Sequence, residues 1–198
     1  MKIAITGSSG FIGTHLSNEL TIRGHTISAD ADAERVYHLA CPSTTAAIND
    51  HTIAVMDAIL DNTRQTMTTW PDAKFINASS MGAEYLDDSA QGAYNIAKYC
   101  MEIYLKHSRI DYVNYRLPAV YGPGMKDDHF IKRCVDRVAY MPKVPEKLYY
   151  IAHVSEVVDA MIDLRPIQLE EITLGRIYEL FNSGRRGLHR PASNQGIV

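Results

Sequence analysis

The stretch Lys2-Ile3-Ala4-Ile5-Thr6-Gly7-Ser8-Ser9-Gly10-Phe11-Ile12-Gly13 decides the fold class. Its first part is a short apolar run of strand length, and Phe11, Ile12, Leu16 and Leu20 then recur at helical spacing as far as residue 23. Glycines at 7, 10 and 13 lie between the two. Strand, glycine turn and helix in that order open a doubly wound sheet. Such a turn lets backbone amides approach a pyrophosphate at the positive end of the helix dipole, and its third glycine lets the helix close on the sheet. Gly7, Ser9, Gly10, Phe11, Ile12 and Gly13 are therefore expected to hold a dinucleotide.

Working outward, strands are predicted at 25–29, 36–40, 74–78 and 112–117, with helices at 48–70 and 92–107. This alternation argues for an α/β fold, a Rossmann-type doubly wound parallel sheet covered on both faces. Beyond residue 124 the pattern changes to a helix at 128–139, a Pro-containing stretch from 141, a helix at 155–164 and a strand at 176–181. Residues 1–124 thus read as the dinucleotide-binding domain and 125–184 as a small, reduced substrate-binding region. Residues 185–198, rich in Gly, Arg, Ser and Asn, read as a loose tail.

Composition narrows the function classes. The chain has 198 residues, 46% hydrophobic and 22% charged, with a formal net charge of −3. That balance carries no basic excess of the kind that binds nucleic acid. Cys41, Cys100 and Cys134 are odd in number and widely spaced, so neither a disulfide framework nor a zinc-finger pair is expected, and no metal set stands out. The N-terminal apolar run is too short for a signal peptide or a membrane span. A cytoplasmic protein is the expectation.

In dinucleotide-binding units an acidic residue at the end of the second strand accepts hydrogen bonds from the adenosine ribose, and Asp30, with Asp32 close by, falls near that place. Either disfavours a 2′-phosphate, which favours NAD. Arg35 nearby leaves NADP open.

Tyr94-Asn95-Ile96-Ala97-Lys98 lies on a predicted helix, which puts the phenol and the ammonium on one face. A cation at that distance favours phenolate, so Tyr94 is expected to work as a general base with its pKa lowered by Lys98 and by a positive nicotinamide ring. Ser79 and Ser80 fall where a strand should end, at the carboxyl edge of a parallel sheet. One of their hydroxyls could bind a reacting oxygen.

Taken together these motifs resemble the extended short-chain dehydrogenases, the NAD-dependent sugar epimerase/dehydratase group, over residues 1–184. The resemblance extends to Val36-Tyr37-His38-Leu39-Ala40, to Arg116-Leu117-Pro118-Ala119-Val120-Tyr121-Gly122-Pro123-Gly124, to the helix start at His153-Val154-Ser155-Glu156 and to the strand from Tyr178 to Gly184. It implies that Leu39 and Ala40 line the cofactor and that Ser80, Tyr94 and Lys98 oxidise a sugar hydroxyl, at C4 of a UDP-linked sugar. His38 to Ser43 and Tyr121 to Asp128 look most like the UDP-glucuronate decarboxylase branch. In that branch and in the dehydratases an acid closely follows the catalytic hydroxyl. Here Met81, Gly82 and Ala83 follow Ser80, with Glu84 beyond them. Ala119 stands where the family has a substrate-diphosphate asparagine, and Tyr149 and Tyr150 where it has an arginine, with Lys143 and Lys147 as basic substitutes. Relatives often dimerise through the helix carrying Tyr94 and the long helix before it, and Ile96, Ile103 and Leu105 fit such a homodimer face. The final step, epimerisation or decarboxylation, stays open. So do a simple ketone reductase and a catalytically reduced NAD(P)-binding or sensing module.

Overall fold

The computed structural model describes residues 1–43, 45–85, 87, 89–125, 131, 146, 148–173 and 175–177. The helix expected at 128–139, Lys143 and Lys147, most of the strand expected at 176–181, and the tail lie outside the described residues.

Five strands form one parallel sheet: β1 (Lys2–Thr6), β2 (Thr26–Ile27), β3 (Arg35–His38), β4 (Lys74–Ser80) and β5 (Tyr112–Leu117), in the order β2-β1-β3-β4-β5. The order reverses direction at β1, so the crevice between the carboxyl ends of β1 and β3 is the topological switch point where ligands bind in open α/β sheets. Pleat alternation sorts the side chains. Ile3, Tyr37, Ile76 and Tyr115 meet Leu16 and Leu20 of α1 (Phe11–Ile22), and Val157, Val158 and Met161 of α5 (Val154–Asp163). Ala4, Val36 and Phe75 point to the opposite face, with Met67 of α3 (Thr52–Thr69) and Leu105 of α4 (Ala90–His107). Leu105 is fully buried there and belongs to the core, not to an exposed dimer face. Each such large side chain, wholly removed from water, contributes roughly 1.5–3 kcal/mol.

Several boundaries depart from the sequence pattern. The helix expected at 48–70 is divided into α2 (Thr45–Asp50) and α3, because His51 leaves the helical region at φ −139°, ψ 42°. α4 starts earlier than expected, where the Ser89 hydroxyl caps the helix by accepting from the Gly92 amide at 3.0 Å. β4 runs on to Ser80, which makes Ser79 and Ser80 its last residues.

A second sheet, absent from the sequence reading, joins β6 (Ala119–Tyr121), β7 (Leu148–His153) and β8 (Glu170–Thr173). β6 and β7 are parallel, β7 and β8 antiparallel. Residues 175–177 are helical where the pattern predicts a strand from 176. The reason is local: the Thr173 hydroxyl accepts from the Arg176 amide at 3.1 Å and turns the chain at the end of β8.

Candidate active site

The glycine turn is built by close backbone approach. Gly7 has φ +74°, and a Cβ there would lie 2.8 Å from the Ala40 nitrogen. A Cβ on Gly13 would lie 2.1 Å from the Gly7 carbonyl oxygen. The Gly10 amide closes the turn by donating to that same oxygen at 3.0 Å. Gly10 caps α1 without any side-chain bond, which leaves the first amides of the helix directed at an incoming anion. Just beyond β3, Leu39 donates its amide to the Thr6 carbonyl at 3.1 Å and Ala40 donates its amide to Thr6 Oγ1 at 3.3 Å. Across the turn, His15 Nε2 donates to the Pro123 carbonyl at 2.8 Å, and Phe11 packs edge-on against the His15 ring. Gly7, Ser9, Gly10, Phe11, Ile12, Gly13, Leu39 and Ala40 thus converge at the switch point. A cradle whose backbone leaves no room for a Cβ fits a pyrophosphate.

Asp30 does not join them. β2 stops level with Ile3, and β3 begins level with the same residue. Residues 28–34 therefore double back near the amino-terminal end of the sheet. There the Asp30 carbonyl accepts from Trp70 Nε1 at 2.7 Å, and Lys2 Nζ pairs with Asp32 at 2.7 Å. This corrects the expectation that Asp30 reaches the ribose, since a second strand of two residues is too short to carry it to the carboxyl edge. Arg35 is also engaged elsewhere, donating to the Tyr37 hydroxyl and to the Ile162 carbonyl, each at 3.0 Å.

Ser80, Tyr94 and Lys98 come from β4 and α4, which pack together. Lys98 is 4% exposed, and its Nζ donates to the Ala78 carbonyl at 2.9 Å. The same ammonium lies 5.9 Å from the centre of the Tyr94 ring. Tyr94 packs with Cys41, Ile48, Val55, Ile59, Ala97 and Met101. This apolar burial, followed by the charge and hydrogen bond of Cys41, pushes the phenol well above its ordinary value of 10.0. The expected lowering by Lys98 is therefore not the dominant effect, because desolvation of the phenolate outweighs it. The two serines take different parts. Ser79 Oγ donates to Glu102 Oε1 at 2.5 Å, whereas Ser80 Oγ accepts from the Gly82 amide at 3.1 Å. An acceptor bond on one lone pair leaves the Ser80 hydroxyl proton available for an oxygen of a bound molecule.

Behind these residues lies a polar network that the sequence reading missed. Arg116 grips Glu102 through Nε and Nη2, the latter at 2.7 Å, and reaches Glu84 through Nη1. Burial alone would raise the Glu102 carboxyl, but hydrogen bonds from Arg116, Ser79 and Asn114 outweigh it and hold the pKa below 4.5. Glu84, the one acid after Ser80 in the turn, is thereby committed to Arg116. The signal was present in outline, since Glu102 falls one helical repeat beyond Lys98 on the face that carries Tyr94. Ala119 begins β6, opposite Ile151, while Tyr149 and Tyr150 lie on β7. Among the described residues no His, Cys, Asp or Glu cluster could hold a metal ion, and no helix is long and apolar enough to cross a membrane.

The family model described as "NAD dependent epimerase/dehydratase family" matches residues 26–164. The glycine turn precedes this span, so its reading rests on its geometry. No curated protein sequence matches significantly. Solved structures share the fold. UDP-glucose 4-epimerase of Thermotoga maritima, bound to UDP-glucose, superposes with a TM-score of 0.73 at 18% identity, covering 98% of this chain and 86% of that one. The Thermus thermophilus UDP-glucose 4-epimerase complex with NAD gives 0.74 at 16% identity, covering 91% and 82%. TunA, an NAD-dependent NDP-hexosamine 5,6-dehydratase involved in tunicamycin biosynthesis, gives 0.75 at 17% identity, covering 91% and 80%. At such identities the likeness establishes the fold, and the reaction has to be argued from the site.

Proposed function

We propose that this chain, which belongs to the NAD dependent epimerase/dehydratase family, oxidises a hydroxyl of a nucleotide-linked sugar and then restores it with inverted configuration. The observation that carries this reading is the convergence of the glycine cradle with Ser80, Tyr94 and Lys98 at the carboxyl edge of one parallel sheet. Family membership makes it an NAD-dependent enzyme of the epimerase/dehydratase type.

Bound NAD supplies the acceptor for the hydride leaving the sugar carbon and afterwards the donor that returns it. The protein provides position and proton transfer. Gly7, Ser9, Gly10 and the first amides of α1, through Phe11, Ile12 and Gly13, seat the pyrophosphate, while Leu39 and Ala40 form the opposite wall. Tyr94 takes the hydroxyl proton as the carbon–oxygen double bond forms and gives it back when that bond is reduced. Lys98 holds a positive charge beneath the phenolate, and the Ser80 hydroxyl donates a hydrogen bond to the reacting oxygen while keeping its proton. Tyr94 gives up its own proton before the oxidation step, a loss that the Lys98 cation beside the ring favours and the desolvation of the phenol opposes.

Epimerisation needs rotation of the ketone and return of hydride to its other face, with no further base. The turn after Ser80 fits this requirement: position 82 has no side chain, and Glu84 is engaged by Arg116. Decarboxylation of a UDP-linked hexuronate, suggested by the resemblance of residues 38–43 and 121–128, is the second reading. In both, the substrate is UDP-linked. We also place the protein in the cytoplasm and assign a homodimer to α3 and α4, where Tyr99, Ile103 and Tyr104 are exposed; sedimentation velocity tests that assembly.

The test begins with thermal shift against NAD and NADP. It continues with product analysis after incubation with UDP-glucose, UDP-galactose, UDP-glucuronate and dTDP-glucose. Interconversion of UDP-glucose and UDP-galactose supports epimerisation, and carbon dioxide from UDP-glucuronate selects decarboxylation. Turnover of none of them, with NAD binding unchanged in Tyr94→Phe, overturns the enzymatic reading in favour of a binding module.

A further inference from the structure

The turn that follows Ser80 is shaped by a residue with no part in the chemistry above. Asn95 stands next to Tyr94 on α4 and is 5% exposed. Its Nδ2 donates to the Tyr85 carbonyl at 2.8 Å, and its Oδ1 accepts from Gln91 Nε2 at 3.3 Å. Asn95 therefore ties the 3₁₀ turn Met81–Glu84 to the helix that carries Tyr94 and Lys98.

The carboxamide also occupies a particular space. A Cβ built on Gly82 would lie 2.5 Å from Asn95 Oδ1, 3.1 Å from Asn95 Cγ and 3.2 Å from Ser80 Oγ. The Asn95 side chain thus fills the volume that any side chain at 82 would need. The Gly82 amide is in turn the donor to Ser80 Oγ at 3.1 Å, and the Tyr85 amide donates back to the Gly82 carbonyl at 2.8 Å. The bonds run in sequence from Asn95 to Tyr85, from Tyr85 to Gly82 and from Gly82 to Ser80. Displacing the first would move the last.

We infer that Asn95 is a positioning and specificity-determining residue: by filling the place of a side chain at 82 it fixes the Ser80 hydroxyl and excludes an acidic group from the reacting carbon. The site is thereby confined to hydride exchange at the oxidised carbon. A carboxylate two residues after Ser80 could remove a proton from the adjacent carbon, and Asn95 leaves no room for one. This inference rests on the sugar-oxidising reaction proposed above, so its test separates the two.

The first arm needs no substrate. Thermal midpoints are measured for Gly82→Ala, Asn95→Ala and the double variant. Gly82→Ala alone is expected to lose about 4 °C or more, since the added methyl meets Asn95. Adding Asn95→Ala, which vacates the space, should make the double variant's loss clearly smaller than the sum. Additive losses overturn the inference.

The second arm measures steady-state epimerisation of UDP-glucose by Asn95→Ala, a variant that adds no bulk and is expected to fold. A loss in kcat of about 10²-fold is expected from a displaced Ser80, with the Kd for NAD and the KM for UDP-glucose within a few-fold. A kcat near that of the unsubstituted protein overturns the positioning role even if the stability coupling is present. No turnover by the unsubstituted protein, with coupled midpoints, overturns the proposed reaction and supports the fit between Asn95 and Gly82.

Discussion

The ammonium of Lys98 and the carbonyl of Ala78 stand 2.9 Å apart inside the protein, so the charge beneath Tyr94 is anchored to the strand that ends in Ser80. One bond couples the helix of the base to the strand of the donor hydroxyl. Lys98→Met should therefore lower turnover of UDP-glucose by about 10²–10⁴-fold. The fold should survive, because an apolar side chain of similar length avoids the cost of a buried charge and leaves a single carbonyl unpaired, about 1–3 kcal/mol. Steady-state kinetics together with a thermal midpoint checks both parts.

Cys41 is the second contributor, after burial, to the high pKa of Tyr94. Cys41→Ala removes that upward push, so the Tyr94 phenolate forms at lower pH in the alkaline range where the thiol ionises. Phenolate absorbance during an alkaline titration, read against Tyr94→Phe, should shift in the same direction.

His38 is buried between Thr6, Thr63 and Thr66, which bond its two ring nitrogens at 3.0 to 3.1 Å. Burial, and next the Lys98 cation, push its pKa down to about 3 from the ordinary 6.5. The folded state binds the proton less readily than the unfolded chain does. Stability is therefore full above pH 6.5 and is lost as pH falls from there toward 3, by about 1.4 kcal/mol for each pH unit. Urea midpoints at pH 7.5, 6 and 5 should decline for the unsubstituted protein and less steeply for His38→Gln.

Gly13→Ala places a methyl 2.1 Å from the Gly7 carbonyl oxygen, with backbone on both sides. The turn and the start of α1 must separate. NAD-dependent thermal stabilisation is expected to disappear, and the midpoint without ligand should fall by several degrees, in line with about 1–3 kcal/mol of overpacking.

Glu102 joins Ser79, Arg116 and Asn114 with its pKa held below 4.5, so its contribution is present above that pH and is lost as pH falls through the lowered value. Glu102→Gln should cost about 1–3 kcal/mol at neutral pH, measured by urea denaturation. The gap between variant and unsubstituted protein should narrow as pH falls below 4.5 and through the lowered Glu102 value.

What the sequence determined by itself is local or periodic. Residues 2–13 specify strand, turn and helix through hydrophobic spacing and glycine placement, and the later alternation of strands and helices specifies a parallel sheet with two covered faces. The Tyr94 and Lys98 pair was legible because one helical turn places both on one face. Ser80 was legible because strand ends gather at one edge.

Tertiary structure decided the rest, because the deciding quantities are distances between segments far apart in the chain. Whether Asp30 reaches the glycine turn depends on the level at which β2 stops against β1, which composition does not encode. Whether Tyr94 is a poised base depends on the desolvation imposed by Cys41 and the α2 and α3 side chains around it. In the sequence, position 82 is one of three after Ser80 that carry no acid. In the folded protein it is space already taken by Asn95, since two atoms cannot share a volume and only packing shows which of them is there.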